Sequence, residues 1–158
     1  MKAASLSELQ KELAALPPKK LLELSIRLVK YKKENKELLS YLIFESHDEK
    51  NYIKSVKEQV DVDFANMNRK TNYLTKKSLR KVLRGMNKFI KYSGLKETEL
   101  ELRIYFCAAI RSKRIPIDKS TVLSNLYHRE IEKIKILLSK LHEDLQYDYK
   151  QELDKLLS

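Results

Sequence analysis

Residues 64–96 read FANMNRKTNYLTKKSLRKVLRGMNKFIKYSGLK. They hold ten basic residues, from Arg69 to Lys96, and no Asp or Glu. At the chain's average acid content (22 in 158), a window of this length would carry about five acids, so chance is a poor explanation. Residues 1–63 carry 12 basic and 11 acidic side chains, and residues 97–158 carry 11 of each. The central stretch therefore supplies ten of the eleven net positive charges.

At 3.6 residues per turn, Leu74 to Ser93 separates into two faces. Leu79, Val82, Leu83, Met86, Phe89 and Ile90 share an arc of about 120°, the width of a core-facing stripe. Lys76, Lys77, Arg80, Lys81, Arg84, Lys88 and Lys91 share the opposite arc of about 140°. Tyr92 sits at the edge of the basic arc, and Tyr73 joins it if the helix begins that early. Gly94 is placed to end the helix in a left-handed turn. Gly85, in mid-helix, is expected to admit a neighbouring backbone.

Like charges at i,i+3 and i,i+4 repel, and no local acid relieves them. Three readings compete: a solvated Lys-rich face, a surface for phosphates or another polyanion, and a membrane-surface or calmodulin-target helix. The third is weakened because the core needs the same apolar residues and the chain has no Trp.

Outward from this helix, the composition is helical. Two Gly and three Pro leave little material for turns. A length of 158 residues predicts one domain, 1–158. The longest apolar run, Ile104–Ile110, is too short to cross a bilayer. A lone Cys107 inside that run reads as a small core residue. With no apolar leader at the N-terminus, the expected location is cytoplasmic.

Ser5 and Glu8 form a capping box ahead of the stripe Leu6, Leu9, Leu13 and Leu16. Pro17-Pro18 separates this helix from a second running to about Lys33, whose apolar residues wrap more than half its circumference and predict neighbours on two sides. Asn35 is the expected cap of a third helix, and Ser46 with Glu49 of a fourth. The fourth carries the stripe Ile53, Val56, Val60, Phe64 and Met67, and sets Glu58, Asp61 and Asp63 on its outer face as candidates to neutralise the basic helix. A sixth, from about Glu97 to Arg114, is apolar on nearly every side and is expected at the centre. After Ile115-Pro116-Ile117, with Asp118 or Ser120 as cap, a stripe from Leu123 to Leu156 predicts one helix of nearly 40 residues or two kinked near Glu143-Asp144. Its heptad-like spacing also admits a homodimer seam along residues 119–157.

The expected fold is all-α, with seven or eight antiparallel helices in consecutive pairs (5–33, 35–70, 74–113 and 119–157). A HEAT-like α-α superhelix is favoured over a closed helical bundle.

Signs of catalysis are sparse. His47, His128 and His142 stand in separate contexts, and there is no H-E-x-x-H and no Gly-rich phosphate loop. No cofactor or metal is implied. A helix-turn-helix at Tyr92-Ser93-Gly94-Leu95 fails because its second helix is the apolar one. The resulting expectation is a non-enzymatic binding module. Its basic helix contacts a polyanion, most plausibly nucleic-acid phosphates, through Lys76, Lys77, Arg80, Lys81, Arg84, Lys88 and Lys91, with Tyr73 and Tyr92 as stacking rings. Arg111, Lys113, Arg114 and the basic corner at 30–36 are candidates to extend the patch. The alternatives are an acidic protein as partner, or a protein–protein scaffold with no nucleic-acid role.

Overall fold

Eight α-helices follow one another along residues 2–157, the residues described by the computed structural model, and there is no strand among them. They are α1 (Leu6–Ala14), α2 (Pro18–Tyr31), α3 (Lys33–Ser40), α4 (Glu49–Ala65), α5 (Asn72–Ser93), α6 (Lys96–Ser112), α7 (Thr121–Leu138) and α8 (Glu143–Leu157). A π-helical turn, Tyr41–Glu45, precedes α4, and a 3-10 turn, Ile117–Lys119, precedes α7. The chain divides into two compact units, one ending at Phe44 and the other beginning at Glu45. Met1 and Ser158 lie outside the described residues.

In the first unit the capping box is present. The Ser5 amide and hydroxyl donate to Glu8 Oε2 at 2.8 and 2.7 Å, and the Glu8 amide donates to Ser5 Oγ at 3.3 Å. Pro18 opens α2, where a missing amide proton costs nothing. α2 packs on α3, whereas the spacing pairs it with α1. Only one side of α2 is covered: Leu21, Leu24 and Val29 are half-buried, while Leu22, Ile26 and Leu28 face outward. Asn35 is not a cap. It lies inside α3, and its side-chain amide reaches back to the Leu28 carbonyl at 2.7 Å, tying α3 to α2. Tyr41 alone among the described residues of this unit is buried.

The second unit has a filled core. Asp48, not Ser46, caps α4, accepting from the Asn51 amide. Glu49, in the first turn of α4, joins two other helices. Its carboxylate accepts from Ser93 at the end of α5 and from Thr98 Oγ1, at 2.6 Å, in the first turn of α6. α4 buries Tyr52, Ile53, Val56, Val60 and Phe64 against α5 and α6, and the Tyr52 hydroxyl donates to the Phe89 carbonyl at 2.9 Å. α6 is the central helix and packs against α4, α5, α7 and α8. Cys107 lies within it, fully buried.

The last long stretch is two helices, α7 and α8, broken at residues 139–142. Ser120 stands at the N-cap of α7 without a side-chain hydrogen bond. Both helices pack on α6, so Leu123, Tyr127, Ile131, Ile134, Leu138, Leu153 and Leu156 are buried inside this unit. Most of the stripe that a dimer seam along 119–157 would use is buried in this unit, while Leu141, Leu145 and Tyr149 are half-buried. The Tyr127 hydroxyl and Arg111 Nη1 both donate to the Leu156 carbonyl, at 3.0 and 3.1 Å, closing the C-terminal end of α8.

No helix of the described residues is long and apolar enough to cross a membrane.

Candidate nucleic-acid interface

Thr71 starts α5 by accepting from the Leu74 amide at 3.2 Å, and Gly94 ends it at φ 68°, a left-handed conformation that glycine adopts without strain. Between these limits the expected two faces form. Leu79, Val82, Met86 and Ile90 are buried, and Leu83 and Phe89 border them. Because this stripe is anchored in the core, the opposite arc is held outward. Lys77, Arg80, Lys81, Arg84 and Lys91 are exposed, while Lys76 and Lys88 are half-buried. Lys76 Nζ lies over the Tyr73 ring at 5.5 Å and Lys88 Nζ over the Phe89 ring at 5.1 Å, shielding part of each charge by cation–π contact.

The two tyrosines part ways. Tyr73 is 65% exposed and open to stacking on a ligand. Tyr92 is half-buried, with its ring edge-on to Phe89 at 6.1 Å, and serves the border of the core.

Two of the α4 acids, Asp61 and Asp63, have partners off the basic arc. Asp61 accepts from the Tyr105 hydroxyl at 2.5 Å and lies 3.8 Å from Lys113, both on the α6 side. Asp63 is held by Gln59 at 3.0 Å, and its Oδ2 is the atom a Cβ on Gly85 would meet, at 3.6 Å. A carboxylate, not a neighbouring backbone, therefore borders Gly85. Within this unit, among the described residues, no Asp or Glu forms an ion pair with Lys77, Arg80, Lys81, Arg84 or Lys91.

Two of the suggested extensions are otherwise engaged. Arg111 holds the end of α8, and Lys113 pairs with Asp61 and covers the Phe64 ring at 5.8 Å. Arg114, at φ 51°, ends the α6 corner, and Arg69 closes that corner by donating to the Lys113 and Arg114 carbonyls at 3.0 and 3.1 Å. The corner at 30–36 belongs to the other unit.

The extension the structure does provide comes from α7. A cleft of about 310 Å³ separates α5 from α7, lined by Arg80 and Leu83 on one side and Val122, Asn125, Leu126, Arg129, Glu130 and Lys133 on the other. Sequence reasoning missed Arg129 and Lys133. Their signal was an i,i+4 cationic pair on one helix face, without the density of the α5 run. It also missed the network below the cleft. Glu130, 2% exposed, takes Arg103 on one carboxylate oxygen and Lys133, at 2.7 Å, on the other. Arg103 is also held by Glu99 at 2.6 Å. An arginine, Arg103, set between Leu102 and the apolar run Ile104–Ile110 was the available clue.

A second cleft, about 390 Å³, lies among α4, α6 and α8 and is crossed by the Lys57–Glu101 ion pair at 2.6 Å. The histidines stay apart: His128 Nδ1 donates to the Ser124 carbonyl at 2.8 Å, and His142 Nδ1 lies 3.3 Å from Asp144. Glu132, one turn on from His128, pairs with Lys135 at 2.8 Å. Among the described residues no group of three or more His, Cys, Asp or Glu could hold a metal ion. Burial pushes the Cys107 thiol up to about 12, with a further contribution from the Glu130 charge, so at neutral pH it is a protonated core group.

No protein-family model, curated protein or solved structure matches this chain.

Proposed function

We propose that this chain is a non-enzymatic helical binding module whose α5 face contacts nucleic-acid phosphates. One observation carries the reading: five exposed cations on a helix locked in place by its buried face, with no carboxylate among the described residues of the same unit paired to them. Aligned, uncompensated Lys and Arg displace counterions from a polyphosphate, which makes binding favourable and salt-dependent. The contacts would be to phosphates, with little base readout by α5 itself. Acidic protein remains the other polyanion this face could meet. A HEAT-like stacking of helix pairs belongs to the same reading. It is supported by α6 packing on α4 to one side in sequence and on α7 and α8 to the other. So does a reducing, cytoplasmic setting, supported by the single buried cysteine.

The test is fluorescence polarisation with labelled DNA and RNA at about 50 and 200 mM salt, as phosphate contacts predict strong salt sensitivity. A Lys77/Lys81/Arg84/Lys91→Glu variant, shown to fold by circular dichroism, serves as the control. Wild type is expected to bind, weaken at least several-fold with salt, and lose binding in the variant. Equal binding by the variant sinks the reading.

The protein-scaffold reading has an observation of its own. In the first unit Leu6, Leu22, Leu28, Ile43 and Phe44 are each more than half exposed. Apolar side chains exposed to this extent are what a protein partner would cover.

A further inference from the structure

We infer that the cleft between α5 and α7 takes one unstacked nucleotide of a single strand, its base against Leu83, Val122 and Leu126 and its phosphate on Arg80 and Arg129. This rests on the nucleic-acid reading of α5 and adds a strand preference to it. Arg80 belongs both to the exposed basic arc and to the cleft lining, so a backbone tracking along α5 is led to the cleft mouth. The volume of about 310 Å³ is at the small end for ligand sites, which run from about 300 to 1,000 Å³, and suits a single nucleotide rather than a duplex edge.

The charge inside agrees. Glu130 is the one acid in the lining, and both its oxygens are already taken, by Arg103 and Lys133. Arg80 and Arg129 have no ion-pair partner among the described residues, which leaves the mouth cationic above an apolar floor. The Asn125 amide offers a donor and an acceptor to a base edge. A nucleotide still in a duplex keeps its base stacked and cannot enter.

The experiment compares labelled oligothymidine with an abasic deoxyribose-phosphate oligomer of equal length, so that phosphates are constant and only bases differ. The proteins are wild type, Arg129→Ala and Val122→Asn, the last a neutral change at a partly exposed floor position. Wild type is expected to prefer oligothymidine by about tenfold, the scale set by burying one side-chain-sized apolar face. Val122→Asn should bring oligothymidine down towards the abasic level while leaving abasic binding unchanged. Arg129→Ala should weaken both. If the two oligomers bind wild type equally and α5 substitutions still abolish binding, the cleft proposal falls and the basic face stands. If neither oligomer binds, both fall.

Discussion

Residues 45–158 and residues 1–44 are built from the same kind of segment, an amphipathic helix of 8 to 22 residues, yet only the first set makes a core. α4 to α8 converge on α6, and their stripes are buried. α1 to α3 bury no residue at all, and the one buried side chain, Tyr41, lies in the π-helical turn that follows them. The difference lies in how many stripes meet. Two packed helices, α2 and α3, cover one flank each, leaving a shallow apolar groove of about 280 Å³ along Leu28, Val29, Leu38, Leu39 and Leu42. Four helices around the apolar cylinder of α6 exclude water from nearly every side. A segment of about 40 residues seldom buries enough surface to hold itself together, and residues 1–44 are of that size.

Equivalent deletions in the two regions put this contrast under the greatest load. Phe106→Ala removes a fully buried ring and is expected to cost about 3–5 kcal/mol in urea unfolding. Leu22→Ala, at a site 63% exposed, should stay within about 0.5 kcal/mol. Arg103→Met should match the Phe106 loss, about 3–5 kcal/mol, because it strips the buried Glu130 of its main partner. Arg103→Met with Glu130→Leu should recover most of it, since an apolar pair replaces an ion pair. A large cost at Leu22 would mean that residues 1–44 have a core after all.

Much of the second region was legible in its spacing, and the reason is physical. Where apolar residues recur at three and four, as in Leu79, Val82, Met86 and Ile90, the stripe names its own buried face and thereby the exposed one. The centrality of α6 was legible for the same reason, since a helix apolar on most sides needs neighbours on most sides. Spacing failed where one side chain had several competing partners. Ser46 and Glu49 fit a capping box, but Asp48 lies nearer the helix start and Glu49 is better used joining α5 to α6. Asn35 fits a cap, but a carbonyl of the preceding helix claims its amide. The α5–α7 cleft was out of reach altogether, because no periodicity says which turn of one helix faces which turn of another.

A second, intermediate effect is confined to the larger region. Burial pushes the Tyr105 hydroxyl up to about 12, and its hydrogen bond to Asp61 adds to this; the Cys107 thiol is pushed up to about 12 as well. Both groups hold their protons more tightly folded than unfolded, so their contribution is full below their ordinary values of 9 and 10. It is lost as pH rises from there towards about 12. Urea midpoints for residues of α6 should therefore hold level to about pH 9 and then fall, less steeply in Tyr105→Phe/Cys107→Ala. A decline of unchanged slope in the double variant would assign the alkaline loss to other groups.

The smallest effect is also the most direct probe of whether the two regions unfold together. Ser5 and Thr71 perform the same service, each accepting the backbone amide three residues on. Thr71→Ala should cost about 1 kcal/mol in the global transition, since α5 is bound into the core and its fraying weakens everything packed on it. Ser5→Ala removes an equivalent cap, and its reciprocal bonds with Glu8, from a helix with no buried residue. Its cost is expected to appear only as faster hydrogen exchange in the first turns of α1, with the global midpoint moved by less than about 0.5 kcal/mol. Cap energies are local by nature, and they reach the global transition only through packing. Equal global shifts from Ser5→Ala and Thr71→Ala would therefore show that α1 unfolds as one with α5.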